Sequence, residues 1–195
     1  MTEIDAKNIE ARLEKIYKAI TSEEFLKGKG LGNELNYYIF DYPPQSELLV
    51  RRFTDNILVK KLKASNKGIN PAVIDLYDVL IEIMESKKVL SAAIEMERKS
   101  GQEGLLKAVK PIFKPVNFTA LIKDKIKDCN LVILTGVGKL WPFVRSHVIL
   151  NNLHTVLSDI PVILFFPGVY NKLELRLFGK LKDDNYYRAF KLVDD

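Results

Sequence analysis

Chemistry in this chain would have to be built from few reactive residues. There are two histidines and one cysteine among 195 residues. His147 and His154 are seven positions apart, with Asn151 between them, in a stretch whose Val144, Val148, Leu153 and Leu157 mark a helix. At a rise of about 1.5 Å per residue the two imidazoles stand roughly 10 Å apart, too far to share one ion. The helical metalloprotease spacing of four is absent. The stripe His147, Asn151, His154 therefore reads either as polar buttressing that needs hydrogen-bond partners, or as a polar face turned to a ligand or partner. Ser146 adjoins His147, but consecutive helical residues face different directions, and no Gly-x-Ser-x-Gly elbow occurs. The lone Cys129 excludes an internal disulfide and a Cys-rich zinc site, and at the edge of an apolar run it reads as a small buried hydrophobe.

A phosphate loop is the next test. It needs Gly-x-x-x-x-Gly-Lys-Ser/Thr, so that backbone donors cradle the phosphate and a hydroxyl holds magnesium. Gly138-Lys139 is the nearest approach, but Ile133 stands where the first glycine belongs and Leu140 where the hydroxyl belongs. Gly136-Val137-Gly138 also fails the dinucleotide fingerprint, because Trp141 occupies the third glycine position. Both glycines read as a sharp strand-to-helix turn. Asp41 and Asp75 are a conceivable carboxylate pair at neighbouring strand ends, with capping and loop fixation the competing reading. No intact phosphate-binding loop, catalytic residue, metal ligand or cofactor site emerges.

Such residues need a scaffold, and the sequence implies one. Ile9, Leu13, Ile16 and Ile20 form one apolar stripe on an N-terminal helix, with Thr2 to Asp5 as its start. Gly28, Gly30 and Gly32 suggest a loop after it. Tyr37 to Asp41 reads as a strand broken by Tyr42-Pro43-Pro44, and Ser46 as the cap of a helix burying Leu49, Phe53 and Ile57. Ala72 to Leu76 reads as a strand leading into a helix, or as the start of one long helix from Pro71. Helical stretches are expected over Val89–Lys99 and Glu103–Lys110, and a helix capped by Asn117 with Phe118, Leu121, Ile122 and Ile126 on one face. Leu131–Leu134 and Pro161–Phe166 are apolar throughout, as expected of strands buried on both faces. Pro142 is expected to open a helix reaching about Leu157. Leu173, Leu175 and Leu177 alternate with charges, and a last strand over Tyr187–Val193 is expected after a turn at Lys182–Asn185.

Strands alternating with helices imply an α/β fold, layered, with a mostly parallel sheet flanked by helices, a C-terminal β-hairpin and an N-terminal helix. The expected division is 1–30 for the helix and glycine linker and 31–195 for the α/β domain. Length and composition agree, with 47% hydrophobic and 28% charged residues. The net charge of +5 is mild and spread over the chain, so it permits nucleic-acid contact without requiring it. Tyr186-Tyr187-Arg188 combines aromatic and cationic character, as single-strand binders do, and equally suits an ordinary strand. No signal-peptide pattern and no span of eighteen apolar residues is present, so a cytoplasmic protein without membrane contact is expected.

Longer motifs carry more. Leu134-Thr135-Gly136-Val137-Gly138, Trp141-Pro142-x-x-Arg145-x-His147, Leu150-Asn151-Asn152-Leu153, Phe165-Phe166-Pro167-Gly168-x-Tyr170, Leu175-x-Leu177-Phe178 and Tyr186-Tyr187-Arg188-Ala189-Phe190 together resemble the BrxB family of bacterial BREX phage-defence systems. Tyr42-Pro43-Pro44-x-x-Glu47 with Arg51, and Asp75-Leu76-Tyr77, also look like that family's pattern. The resemblance runs from about Tyr38 to the C-terminus. It implies a component of an anti-phage complex in the company of a PglZ-type protein of the alkaline phosphatase superfamily, an adenine DNA methyltransferase and a large ATPase, with docking to the PglZ-type protein foremost. It supplies no catalytic residue.

The expected role is a non-enzymatic interaction module or scaffold. The alternatives are a degenerate nucleotide-binding or phosphoryl-handling domain, and an auxiliary DNA-contacting subunit. Aromatics and arginine dominate interface energetics. The candidate interaction or network residues are Asp41, Tyr42, Pro43, Pro44, Arg51, Trp141, Arg145, His147, Asn151, Asn152, Pro167, Gly168, Tyr170 and Arg188. If the strands are parallel, their carboxyl-end loops gather on one edge, where a site is expected.

Overall fold

The computed structural model describes residues 3–26, 36–153, 157, 160–172, 174–183 and 189–194. The expected glycine linker, His154, Tyr186, Tyr187, Arg188, Leu173, the turn residues 184–185 and Thr2 lie outside the described residues.

Elements follow in the order α1 (Glu3–Ile20), α2 (Glu23–Leu26), β1 (Tyr37–Tyr42), α3 (Glu47–Phe53), α4 (Val59–Ala64), β2 (Pro71–Asp75), α5 (Leu76–Ser86), α6 (Leu90–Val109), α7 (Pro115–Lys125), β3 (Leu131–Thr135), α8 (Val137–Leu140), α9 (Ser146–Leu153), β4 (Val162–Tyr170), β5 (Leu175–Leu177), β6 (Leu181–Asp183) and β7 (Phe190–Lys191). The main sheet has the order β2-β3-β4-β1-β7, and every pairing in it is parallel. Its central strands β3 and β4 are apolar on both sides because helices cover both sides. Within β3, Leu131 and Ile133 face α1, α3 and α4, while Val132 and Leu134 face α5 to α9. The α/β layered architecture expected from the alternating pattern is present.

The α1 stripe holds: Ile9, Leu13, Ile16 and Ile20 are all buried. The face of α3 and α4 is displaced by one residue from the expected one. Val50, Thr54, Leu58 and Leu62 are buried, whereas Ile57 is exposed. Leu49 and Phe53 are half-buried beside this stripe, and a π-helical turn over Thr54–Leu58 keeps the stripe in line beyond Thr54. A spacing of four drifts around a 3.6-residue helix, and one wider turn restores the stripe to the sheet. Ser46 occupies the N-cap of α3 but its side chain does not cap it; a 3-10 turn, Pro44–Ser46, comes first.

Other local readings are corrected in the same way. Pro115, not Asn117, opens α7, and the Asn117 Nδ2 donates to the Ile112 carbonyl at 2.7 Å. Pro142 opens no helix: it lies in a turn after a cis Trp141–Pro142 bond, separating α8 from α9. The C-terminal hairpin is β5 with β6, joined through Phe178-Gly179, and β7 instead pairs parallel with β1. The two α6 segments meet at Gly101, whose φ of 66° and ψ of −173° break the helix.

Candidate functional site

The chain order places a crevice at the carboxyl edge of the sheet. From β1 the chain leaves through α3 and α4 on one face to reach β2, and from β2 and β3 it returns through α5 to α9 on the other. Where helices diverge to opposite faces, a cleft opens above the strand ends. It measures about 390 Å³, and its charged lining includes Glu47, Arg51, Asp55, Asp75, Asp78 and Lys139.

Several of these groups are engaged with one another. The Tyr42 hydroxyl, at the end of β1, donates to Glu47 Oε2 at 2.6 Å, and Arg51 Nη2 donates to Glu47 Oε1 at 3.3 Å. Burial and the neighbouring Glu47 carboxylate push the Tyr42 phenol far above its ordinary value, so it stays a neutral donor. Asp75 ends β2 and caps α5, accepting from the Tyr77 and Asp78 backbone amides at 2.9 and 3.4 Å. Its other carboxylate oxygen is ion-paired with Lys139 of α8, whose ammonium also lies 5.6 Å from the Tyr77 ring centroid. Capping and loop fixation, the competing reading for Asp75, is what its contacts describe.

The glycine pair has two separate explanations. Gly136 has φ +77°, and a Cβ there would stand 2.1 Å from Asp75 Oδ1. Gly138 makes room for another chain segment: a Cβ would lie 3.1 Å from the Phe178 ring and 3.2 Å from Pro167. The second glycine thus serves the β5–β6 hairpin.

Asp41 is not the neighbour of Asp75, correcting the carboxylate-pair expectation. Strands β1 and β2 are separated by β4 and β3. Asp41 is buried, its Oδ1 lies 3.0 Å from Arg12 Nη2 and 3.6 Å from Lys191 Nζ, and its Oδ2 accepts from the Tyr170 amide at 3.0 Å. It joins α1, β1, β4 and β7. Tyr170 is buried beside it, with its hydroxyl on the Ala189 carbonyl at 2.6 Å. Gly168 is required by the close approach of β5, because a Cβ would stand 2.1 Å from the Arg176 carbonyl oxygen. Pro167 lies in register with Tyr42. Pro43 is exposed, and Pro44 is half-buried in the 3-10 turn.

The remaining expected residues lie around the turn before α9. Trp141 is half-buried, and the exposed Arg145 guanidinium sits 5.7 Å from its ring centroid. His147 is half-buried. Asn151 and Asn152 are exposed, and Asn152 Nδ2 donates to its own helix at the Val148 carbonyl. The stripe is therefore not a buried buttress at Asn151. Cys129 is half-buried, packs against the core, and burial raises its thiol pKa, so it behaves as a poor nucleophile.

Sequence reasoning did not single out Arg12 or Lys180, and it gave Lys139, Phe178 and Lys182 other roles. The turn signal was Phe178-Gly179 between two short apolar alternations; the ion pairs had no spacing signal. Among the described residues, no group of three or more His, Cys, Asp or Glu side chains is arranged to hold a metal, and no helix is long and apolar enough to cross a membrane.

Comparison with known proteins bears on what this edge serves. The model of a family described as "BREX protein BrxB" matches residues 72–192. The chain belongs to the BrxB family. A BREX protein BrxB from Bacillus cereus (strain H3081.97) is 43% identical over 192 residues, covering 96% of this chain and 99% of that protein. One from Escherichia coli O9:H4 (strain HS) is 33% identical over 189 residues, covering 96% of this chain and 92% of that protein. No solved structure matches. BrxB membership makes the chain a BREX component. The similarity extends through α1, which the sequence motifs had not reached.

Proposed function

We propose that this BREX component acts without catalysis of its own, as an interaction module that docks to the PglZ-type protein of the system. One observation carries the reading. A groove of about 320 Å³ runs between α5, both segments of α6 and the Trp141–Phe143 turn, with Leu80, Met84, Ile94, Leu105, Trp141 and Phe143 among its walls. Ile94 is 54% exposed at its rim. An open apolar channel edged by aromatic residues has the composition of an interface core. The break at Gly101 turns the second α6 segment so that both segments wall the groove.

The carboxyl-edge cleft supports the same reading from the other side. Its described lining holds no histidine or cysteine, and within it Tyr42 and Arg51 bind Glu47 while Lys139 pairs with Asp75. The glycine pair adds nothing to the nucleotide-binding alternative, since Gly136 answers to Asp75 and Gly138 to Phe178.

The test is co-purification of the full chain with the PglZ-type protein. Wild type is expected to form a complex at micromolar concentration, with I94E reducing recovery at least tenfold at unchanged folding. Thermal shift with ATP and magnesium addresses the alternative: stabilisation at millimolar nucleotide would favour it over the module.

A further inference from the structure

Trp141 also lines a second, smaller pocket of about 190 Å³ with different chemistry. Its lining includes Val137 and Leu177, and the charged side chains among its described lining are Arg145, Lys180 and Lys182. The carboxyl-edge cleft, by contrast, is lined by four carboxylates and two cations. Of the two, only the smaller pocket suits an anion.

The cations are brought together by a costly piece of backbone. Lys180 and Lys182 stand on the β5–β6 hairpin and Arg145 precedes α9, so the pocket joins segments distant in sequence. Phe178 and Gly179 both have positive φ, 57° and 71°, and the Lys180 amide donates to the Leu177 carbonyl at 3.1 Å, the geometry of a type I′ turn. A phenylalanine in this conformation is strained, and such strain persists only where surroundings impose it. Here the Phe178 ring lies against Gly138 and Pro167, and its amide donates to the Pro167 carbonyl at 2.9 Å. The hairpin is pinned over α8, and its lysines are held at the pocket.

We infer that this pocket binds one nucleotide unit, with the base against the Trp141–Arg145 pair and the phosphate between Lys180 and Lys182. The Arg145 guanidinium held over the indole offers a planar cation on which a base stacks. The apolar floor suits the rest of the ring. At about 190 Å³ the pocket is smaller than the roughly 300–1,000 Å³ of sites that enclose a drug-sized ligand, so it holds part of one unit and leaves the rest at the surface. Lys180 makes no ion pair among the described residues, and Lys182 shares Glu174, at 3.1 Å, with Arg176. These neighbouring cations draw the Glu174 carboxyl below its ordinary value, as a locally positive field would. A duplex hides its base faces, so among nucleic acids an unpaired strand fits. The inference does not rest on partner docking, although Trp141 lines both the groove and this pocket.

The experiment measures anisotropy of a labelled twenty-residue oligothymidylate with the full chain at low salt, beside a thermal-shift titration with thymidine monophosphate. Wild type is expected to bind at micromolar concentration, with affinity falling steeply as salt rises. K180E/K182E, both on the surface, is expected to weaken binding at least tenfold, and K180A to lower the salt slope by roughly 0.7. Strand binding with no effect of the mononucleotide assigns the site to a strand, and comparable binding of both assigns it to a free nucleotide. No binding of either at 100-fold above these concentrations, or equal binding by K180E/K182E, overturns the inference.

Discussion

Arg12 Nη2 stands 3.0 Å from Asp41 Oδ1, with the two side chains only 7% and 8% exposed. The contact spans α1 and β1, and Lys191 of β7 approaches the same oxygen. A buried pair is held by its geometry, and removing one partner leaves the other charge uncompensated. D41N is therefore expected to destabilise the chain by about 3–5 kcal/mol, read from the urea midpoint. A loss below about 1 kcal/mol would mean that the cluster is hydrated and incidental.

Gly136 and Gly101 separate two reasons for glycine. At Gly101 the added Cβ meets open space, so G101A carries only the backbone penalty, about 1–3 kcal/mol. At Gly136 the added methyl also drives into the Asp75 carboxylate that caps α5. G136A is expected to cost more than G101A by about 1 kcal/mol or beyond, from the lost cap. Equal unfolding midpoints would contradict the account of the strand-to-helix turn.

Tyr37 and Tyr42 make stability fall in alkali. Burial raises both phenols above the ordinary value of 10.0, and Glu47 adds to the shift at Tyr42. A raised folded pKa means that the native state keeps a proton which the unfolded state releases. Their contribution is full below pH 10 and declines as pH rises beyond it, by up to about 1.4 kcal/mol per pH unit for each phenol. Urea unfolding between pH 9 and 11.5 checks this, and Y42F should flatten the decline. The same midpoint at pH 9 and 11.5 would show that both phenols titrate normally.

Removing the Tyr42 hydroxyl also releases Glu47. Y42F is expected to cost about 1 kcal/mol at neutral pH, the ordinary net value of a hydrogen bond. A stabilised Y42F would show that the hydroxyl is not satisfied by Glu47.

What could be read from the sequence depended on how local the cause was. Leu131–Leu134 and Val162–Phe166 announced themselves because a strand covered on both faces has no polar alternation. The α1 stripe was equally plain, since period and burial agree over about three turns. The spacing of four that runs from Val50 to Leu62 could not be read, because a π turn changes the period partway along. The hairpin was misplaced because β5 and β6 have three residues each, too few for a period to show. At the candidate sites the residue types were visible and the pairings were not. Lys139 finds Asp75 across 64 residues, and Arg12 finds Asp41 across 29. Gly138 looked like a fragment of a phosphate loop until Phe178, forty residues later, was seen to occupy the space it leaves.

The most direct measurement is the binding isotherm of the purified full chain with the purified PglZ-type protein, by calorimetry, for wild type and I94E. The groove account predicts a saturable complex at micromolar concentration or tighter, weakened at least tenfold by I94E with the unfolding midpoint preserved. No heat of binding at tens of micromolar, or an isotherm unchanged by I94E, would contradict it.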